Sequence, residues 1–80
     1  MDPQATWDEL LEARLQRDWN RAEELANALL DWMQRGGFPP HTVGDRRIGT
    51  RWHHAVAYFL CHLVLADVCQ VRKRANRRKA

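Results

Sequence analysis

The run from Trp52 to Val71, and within it AVAYFLCHLVLADVCQV from Ala55, constrains this chain more than any other stretch. It is apolar almost all the way round, interrupted only by His62, Asp67 and Gln70. A surface helix needs one apolar stripe, whereas a helix apolar on every side must be covered on every side. The chain has 80 residues, enough for a single domain over 1–80. A chain of that length hides only about 60% of the surface its unfolded form exposes. It is short of material to cover such a helix alone, so a second copy is the expected cover.

The partner within the chain is an amphipathic segment. Thr6-Trp7-Asp8-Glu9 has the capping-box pattern, in which the Thr hydroxyl and the Glu carboxylate satisfy N–H groups reciprocally. Behind it Trp7, Leu11, Leu15, Trp19, Ala22, Ala26, Leu29 and Met33 recur at helical spacing. Asn20-Arg-Ala-Glu23 offers a second start signal, which would break the helix near Asp18–Asn20. The stripe keeps its phase through that point, so the reading is one helix over 6–35. Gly36-Gly37-Phe38-Pro39-Pro40 stops it, with Gly37 as the left-handed cap and Met33 meeting Phe38 in a Schellman ending. A connector over 36–49 follows, anchored by Val43 and Ile48, and a second helix spans 50–74. The fold class is all-α: a long antiparallel helical hairpin that dimerises into a four-helix bundle with the second helix at its centre.

Antiparallel pairing with Arg35 level with Thr50 makes facing positions sum to about 85. That register sets His62 beside Glu23 and Glu24, His54 beside Asp31, and Asp67 near Arg17 and Arg21, supplying the partners that buried polar groups need. Trp52, Tyr58, Phe59, Leu63 and Val64 are the expected dimer interface.

Charge is unevenly spread. Residues 1–35 carry eight acids and four bases, and 36–80 two acids and nine bases. Six of those nine form the tail over 72–80: Arg72, Lys73, Arg74, Arg77, Arg78 and Lys79. Such a tail suits nucleic acid or an acidic protein partner. Equally, it balances the acidic start of the first helix, with Arg72–Arg74 beside Glu12, and Arg77 and Arg78 beside Asp8 and Glu9. Arg46, Arg47, Thr50 and Arg51 surround the start of the second helix, where unopposed N–H groups and guanidinium groups could hold an anion.

No metal or other cofactor is expected. His53, His54, Cys61, His62 and Cys69 include no pair three or four apart, the spacing at which helical side chains share a face. A metal site would need the loop residue His41 or another chain. Cys61 and Cys69, eight residues apart, stand about 12 Å apart along a helix and cannot bridge. Adjacent Cys61 and His62 diverge and make no nucleophile and base, and no phosphate loop, HExxH or GxSxG occurs. A non-enzymatic protein is the expectation. The start, MDPQATWDELLEA, has no basic and apolar leader pattern, which with free thiols suggests the cytoplasm. A membrane span is not expected: Ala55–Val71 is 17 residues against the roughly 20 a bilayer asks for. A central Asp67 would add about 2.5–3.5 kcal/mol of insertion cost. The sequence thus reads as an assembly or adaptor protein that self-associates through its second helix, with a nucleic-acid-binding accessory protein as the alternative.

Overall fold

A computed structural model describes residues 1–42 and 49–79, with side chains up to 75. It is all-helical over those residues, with α1 at Pro3–Leu15, α2 at Trp19–Gln34 and α3 at Thr50–Lys79.

The expected first helix is therefore two. It begins earlier than Thr6, because Asp2 caps it: its Oδ1 accepts from the N–H groups of Gln4 (3.0 Å) and Ala5 (3.3 Å). Pro3 takes the first helical position, where its fixed φ helps and its missing N–H costs nothing. Thr6 lies inside the helix, its hydroxyl donating to the Asp2 carbonyl at 3.0 Å.

The helix then stops at Leu15. Arg17 adopts φ 57°, and the N–H groups of Arg17 and Asp18 donate to the carbonyls of Arg14 (3.1 Å) and Ala13 (2.9 Å). That is a Schellman ending built without glycine. Asp18 at once caps α2 by accepting from the Arg21 N–H at 3.3 Å. The two devices overlap on one residue, so α1 folds back on α2 through only Gln16, Arg17 and Asp18. Arg21 on α2 reaches Glu9 on α1 at 2.8 Å.

This turn re-phases the apolar stripe. Trp7, Leu10 and Ala13 are the buried residues of α1 together with Pro3, while Leu15 is 76% exposed. On α2, Ala22, Leu25, Ala26, Leu29, Leu30 and Met33 are all buried. That apolar arc is wide because α1 and α3 both pack on this one side of α2, and the buried residues of all three helices form one cluster.

α2 ends one residue before the expected place. Gly36 is the left-handed residue, at φ 89°, with Gly36 N–H donating to Met33 and Gly37 N–H to Trp32. The side-chain contact that follows is Trp32 with Phe38, edge-on at 5.8 Å, rather than Met33 with Phe38. The Trp32 ring N–H also donates to the Phe38 carbonyl at 2.9 Å. Beyond it, Pro40 is fully buried. The amide of Gln4 pairs both ways with the His41 backbone, accepting its N–H at 2.9 Å and donating to its carbonyl at 3.4 Å. Val43 and Ile48, the expected anchors, lie outside the described residues.

α3 is 30 residues long, running past 74 to Lys79, so it spans about 45 Å of a molecule whose longest extent is 49 Å. Arg72, near its C-terminal end, reaches Glu23 and Asn20 near the start of α2, so the two helices run in opposite directions. Its inward face is His53, Ala57, Cys61, Val64 and Val68.

Candidate interaction face on the third helix

At 100° per residue, the inward residues of α3 occupy one arc, and the opposite arc carries Trp52, Val56, Phe59, Leu63, Ala66 and Gln70. These six are spaced four and three apart in alternation, the spacing of a helix-pairing seam. The large members stand in the open: Trp52 is 55% exposed, Phe59 69% and Leu63 40%, with Tyr58 at 41% on the flank. Ala55, Ala66, Cys69 and Gln70 are exposed beside them. Four of the five expected interface residues thus lie on the surface. Val64 does not: it is fully buried against the chain's own core and has no surface to offer a partner.

The polar residues of α3 find partners other than those the simple register gave. Asp67 faces Arg14 of α1 at 3.5 Å rather than Arg17 or Arg21. Arg72 engages Glu23 and Asn20, not Glu12. His62 is exposed, its ring edge-on to Tyr58 at 4.5 Å, so Glu23 and Glu24 do not hold it. His54 stacks on the other side of Tyr58 at 6.2 Å, and Asp31 pairs instead with Arg35 at 3.1 Å. Arg72 is level with residues 20–23 of α2, so α2 and α3 are aligned differently from the assumed register, and the fold at Arg17 brings Arg14 of α1 alongside Asp67.

His53 is the buried imidazole. The Thr42 N–H donates to its Nδ1 at 3.1 Å, which leaves the ring hydrogen on Nε2, a buried atom without a hydrogen-bond partner. The His41 ring sits edge-on to it at 4.6 Å. A sequence reading could not reach this contact, because Thr42 carries no signal that its amide would turn back on α3. His53 also lines a cavity of about 450 Å³ shared by Asp2, Pro3, Pro39, His41 and Thr50. Of the expected anion-binding residues, Thr50 borders this cavity and Arg51 is exposed, while Arg46 and Arg47 lie outside the described residues. Of the tail, Lys73 and Arg74 are exposed with Arg72, and the side chains of Arg77, Arg78 and Lys79 lie outside the description.

The thiols differ sharply. Cys61 is fully buried, and burial pushes its pKa up to about 12 by disfavouring the thiolate. Cys69 is exposed. Among the described residues no three His, Cys, Asp or Glu side chains are grouped to hold a metal ion.

α3 is longer than the 17-residue apolar run Ala55–Val71 within it. Thr50–Ala75 is 26 residues, with an 18-residue stretch of mean hydropathy 1.5 of which 22% is buried, long and apolar enough to cross a bilayer. Against it stand Asp67 and Arg72, each paired to another helix of the chain.

Comparison of the chain with known protein families, with curated proteins and with solved structures finds no match.

Proposed function

We propose that this chain is a small non-enzymatic assembly or adaptor protein of the cytoplasm that self-associates through α3. The observation that carries the reading is the open apolar face of Trp52, Phe59 and Leu63, flanked by Tyr58, on a helix whose other side is already committed to α2. Contiguous apolar surface of this kind, rimmed by charge, marks an interaction site in a soluble protein. At about 200 Å² per aromatic side chain, the exposed parts of the three aromatics leave roughly 330 Å² uncovered. With Leu63 and the small apolar residues of the same arc, the face comes to roughly 500 Å² per copy. A pair then buries about 1,000 Å², the area at which a specific interface becomes credible. Such a pair sets two α3 helices at the centre with an α1–α2 hairpin outside each, six helices in place of the expected four-helix bundle.

A bilayer is a poorer occupant. To cross one, α3 would leave α2, exposing Cys61, Val64 and Val68 on one side and Ala26 and Leu29 on the other, and parting Asp67 from Arg14 and Arg72 from Glu23. The nucleic-acid reading keeps one supporting observation, that Lys73 and Arg74 are exposed where α3 approaches its basic end. Arg72, held by Glu23 and Asn20, counts the other way.

Gel filtration with light scattering, at low and high salt and with absorbance at 260 and 280 nm, tests the proposal. The expected result is a species of twice the 9.4 kDa chain mass, unchanged by salt, because apolar burial does not depend on ionic screening. A monomer at micromolar concentration would overturn self-association. Nucleic acid that co-purifies and is stripped by salt would move function to the tail. A protein soluble only in detergent would indicate that α3 lies in lipid.

A further inference from the structure

We infer that the occupant of the α3 face is a second copy of the chain lying antiparallel, in the register where facing positions of the two α3 helices sum to 122. This rests on the self-association proposed above and specifies its geometry. Three observations converge on it.

The first is size. Along the seam the large residues are Trp52 and Phe59, towards the N-terminal end, and the small or slender ones are Ala66 and Gln70, towards the C-terminal end. A parallel pair would set Trp52 on Trp52 and Ala66 on Ala66, leaving one end wedged apart and the other too thin to fill the space between backbones. Antiparallel pairing sets Trp52 on Gln70, Val56 on Ala66 and Phe59 on Leu63, each large residue against a smaller one.

The second is coverage. Seam positions also interleave in the registers seven residues either side. A sum of 115 sets Ala66 opposite Gly49, already ahead of the first residue of α3, and a sum of 129 leaves Trp52 facing Arg77 of the tail. Only the sum of 122 covers the whole apolar span from Trp52 to Gln70, about 27 Å of helix.

The third is charge. In this register Lys73 of one copy arrives opposite Gly49 of the other, at the edge of the cavity bordered by Asp2, Gly49 and Thr50. The basic end of each α3 then lies towards the end of the partner where the exposed acids Asp2 and Asp8 stand near Arg51, the one exposed lysine or arginine among the described residues of the first turn of α3. In a parallel pair the six bases of one tail would lie along the six of the other, a like-charge contact that also aligns the two helix dipoles.

Cysteine cross-linking tests the orientation without removing an aromatic anchor. Two variants are made on a Cys69→Ser background, one carrying Val56→Cys and the other Ala66→Cys, and are mixed and oxidised at equal concentration. Positions 56 and 66 face each other in the inferred register, within disulfide reach. Each is about 15 Å along the axis from its own counterpart, beyond reach. The expected product is therefore the mixed disulfide alone, with neither variant linking to itself. Homodimeric disulfides from either variant alone would overturn the antiparallel arrangement in favour of a parallel one. No disulfide from any mixture, with light scattering still reporting a dimer, would overturn the register and leave self-association standing. A monomeric mass for both variants and for the unmodified chain would overturn both.

Discussion

Phe59 separates the folding of one chain from the pairing of two, and Phe59→Ala gives the sharpest test of that separation. Within the chain the side chain is 69% exposed, and alanine is the better helix former, so the substitution leaves the single chain's stability within about 0.5 kcal/mol. In a pair the loss is large. An aromatic side chain of about 200 Å² exposed to that extent presents roughly 140 Å², of which about 100 Å² disappears on truncation to a methyl. At about 25 cal/mol per Å² this is some 2.5 kcal/mol per copy, hence about 5 kcal/mol for a symmetric pair. With 1.4 kcal/mol per tenfold, the dimer dissociation constant should rise by three to four decades. Analytical ultracentrifugation across nanomolar to millimolar loading measures that shift. Urea unfolding of the monomeric variant, compared with the unmodified chain diluted below its own dissociation constant, measures the intrachain term. A dissociation constant that moves by less than tenfold would take Phe59 out of the interface, and a monomer that itself loses more than about 1 kcal/mol would place it in the chain's own core.

Neighbouring positions on α3 should behave in opposite ways: Leu63→Asp gives a folded monomer, and Val64→Asp, which buries an unpaired carboxylate in the core, abolishes the cooperative circular-dichroism melt. A disulfide-exchange reagent at neutral pH should titrate one thiol, Cys69, in the native protein and two in guanidinium. Because burial raises the Cys61 pKa from 9 to about 12, the unfolded chain binds fewer protons than the folded one across that interval. Stability present below pH 9 is therefore lost towards pH 12, by up to about 1.4 kcal/mol per pH unit from this group. The urea midpoint of the unmodified chain should approach that of Cys61→Ala as pH rises, and a constant gap would show that the thiol is not desolvated. Arg17→Gly should raise the urea midpoint, stabilising the chain by about 0.5–1 kcal/mol, because glycine takes φ 57° without the Cβ penalty that arginine meets there.

What the sequence disclosed, and what it withheld, divide along the range of the interaction. Composition and periodicity were enough for the all-α class, for the end of α2 and the start of α3 within a residue, and for an α3 with more apolar surface than one chain covers. The stop at Gly36 was legible because glycine and two prolines leave the backbone few alternatives. The stop at Leu15 was not, because arginine carries no signal of left-handed backbone. The cap at Asp18 was visible only as a competing start signal whose strength depended on that same turn. The register-based pairings failed on two counts: α2 and α3 are aligned otherwise than assumed, as Arg72 beside Asn20 and Glu23 shows, with His54 and His62 turned to Tyr58, and the missed turn brings Arg14 of α1 to Asp67. The exposed aromatics were identified, and Val64 was misplaced among them, because neighbours on a helix differ by 100° and an all-round apolar sequence does not say which arc faces inward.

The turn at Arg17 and the open face of α3 are two consequences of one partition of apolar surface. A straight helix over 6–35 would be about 45 Å long, matching α3 in length and able to lie along all of it. Folding it at Arg17 yields α1 and α2, of 13 and 16 residues, and α2 alone reaches only about 24 Å. The buried residues of α1, Trp7, Leu10 and Ala13, join the same cluster as the inward residues of α3, and Arg14 reaches Asp67 from that side, so α1 lies beside α2 instead of extending it along α3. Cover from one side buries one arc of α3, with His53, Ala57, Cys61, Val64 and Val68 at its centre and Leu60 and Leu65 partly buried at its edges. From Ala57 on, the central residues are small or slender, suited to close approach of two backbones. The bulky Trp52, Phe59 and Leu63 are left outside, where their area is worth most to a second surface. A chain selected only to fold alone would have little reason to sort its residues that way, with the large ones outward, and that sorting is the strongest argument that α3 is made to be shared.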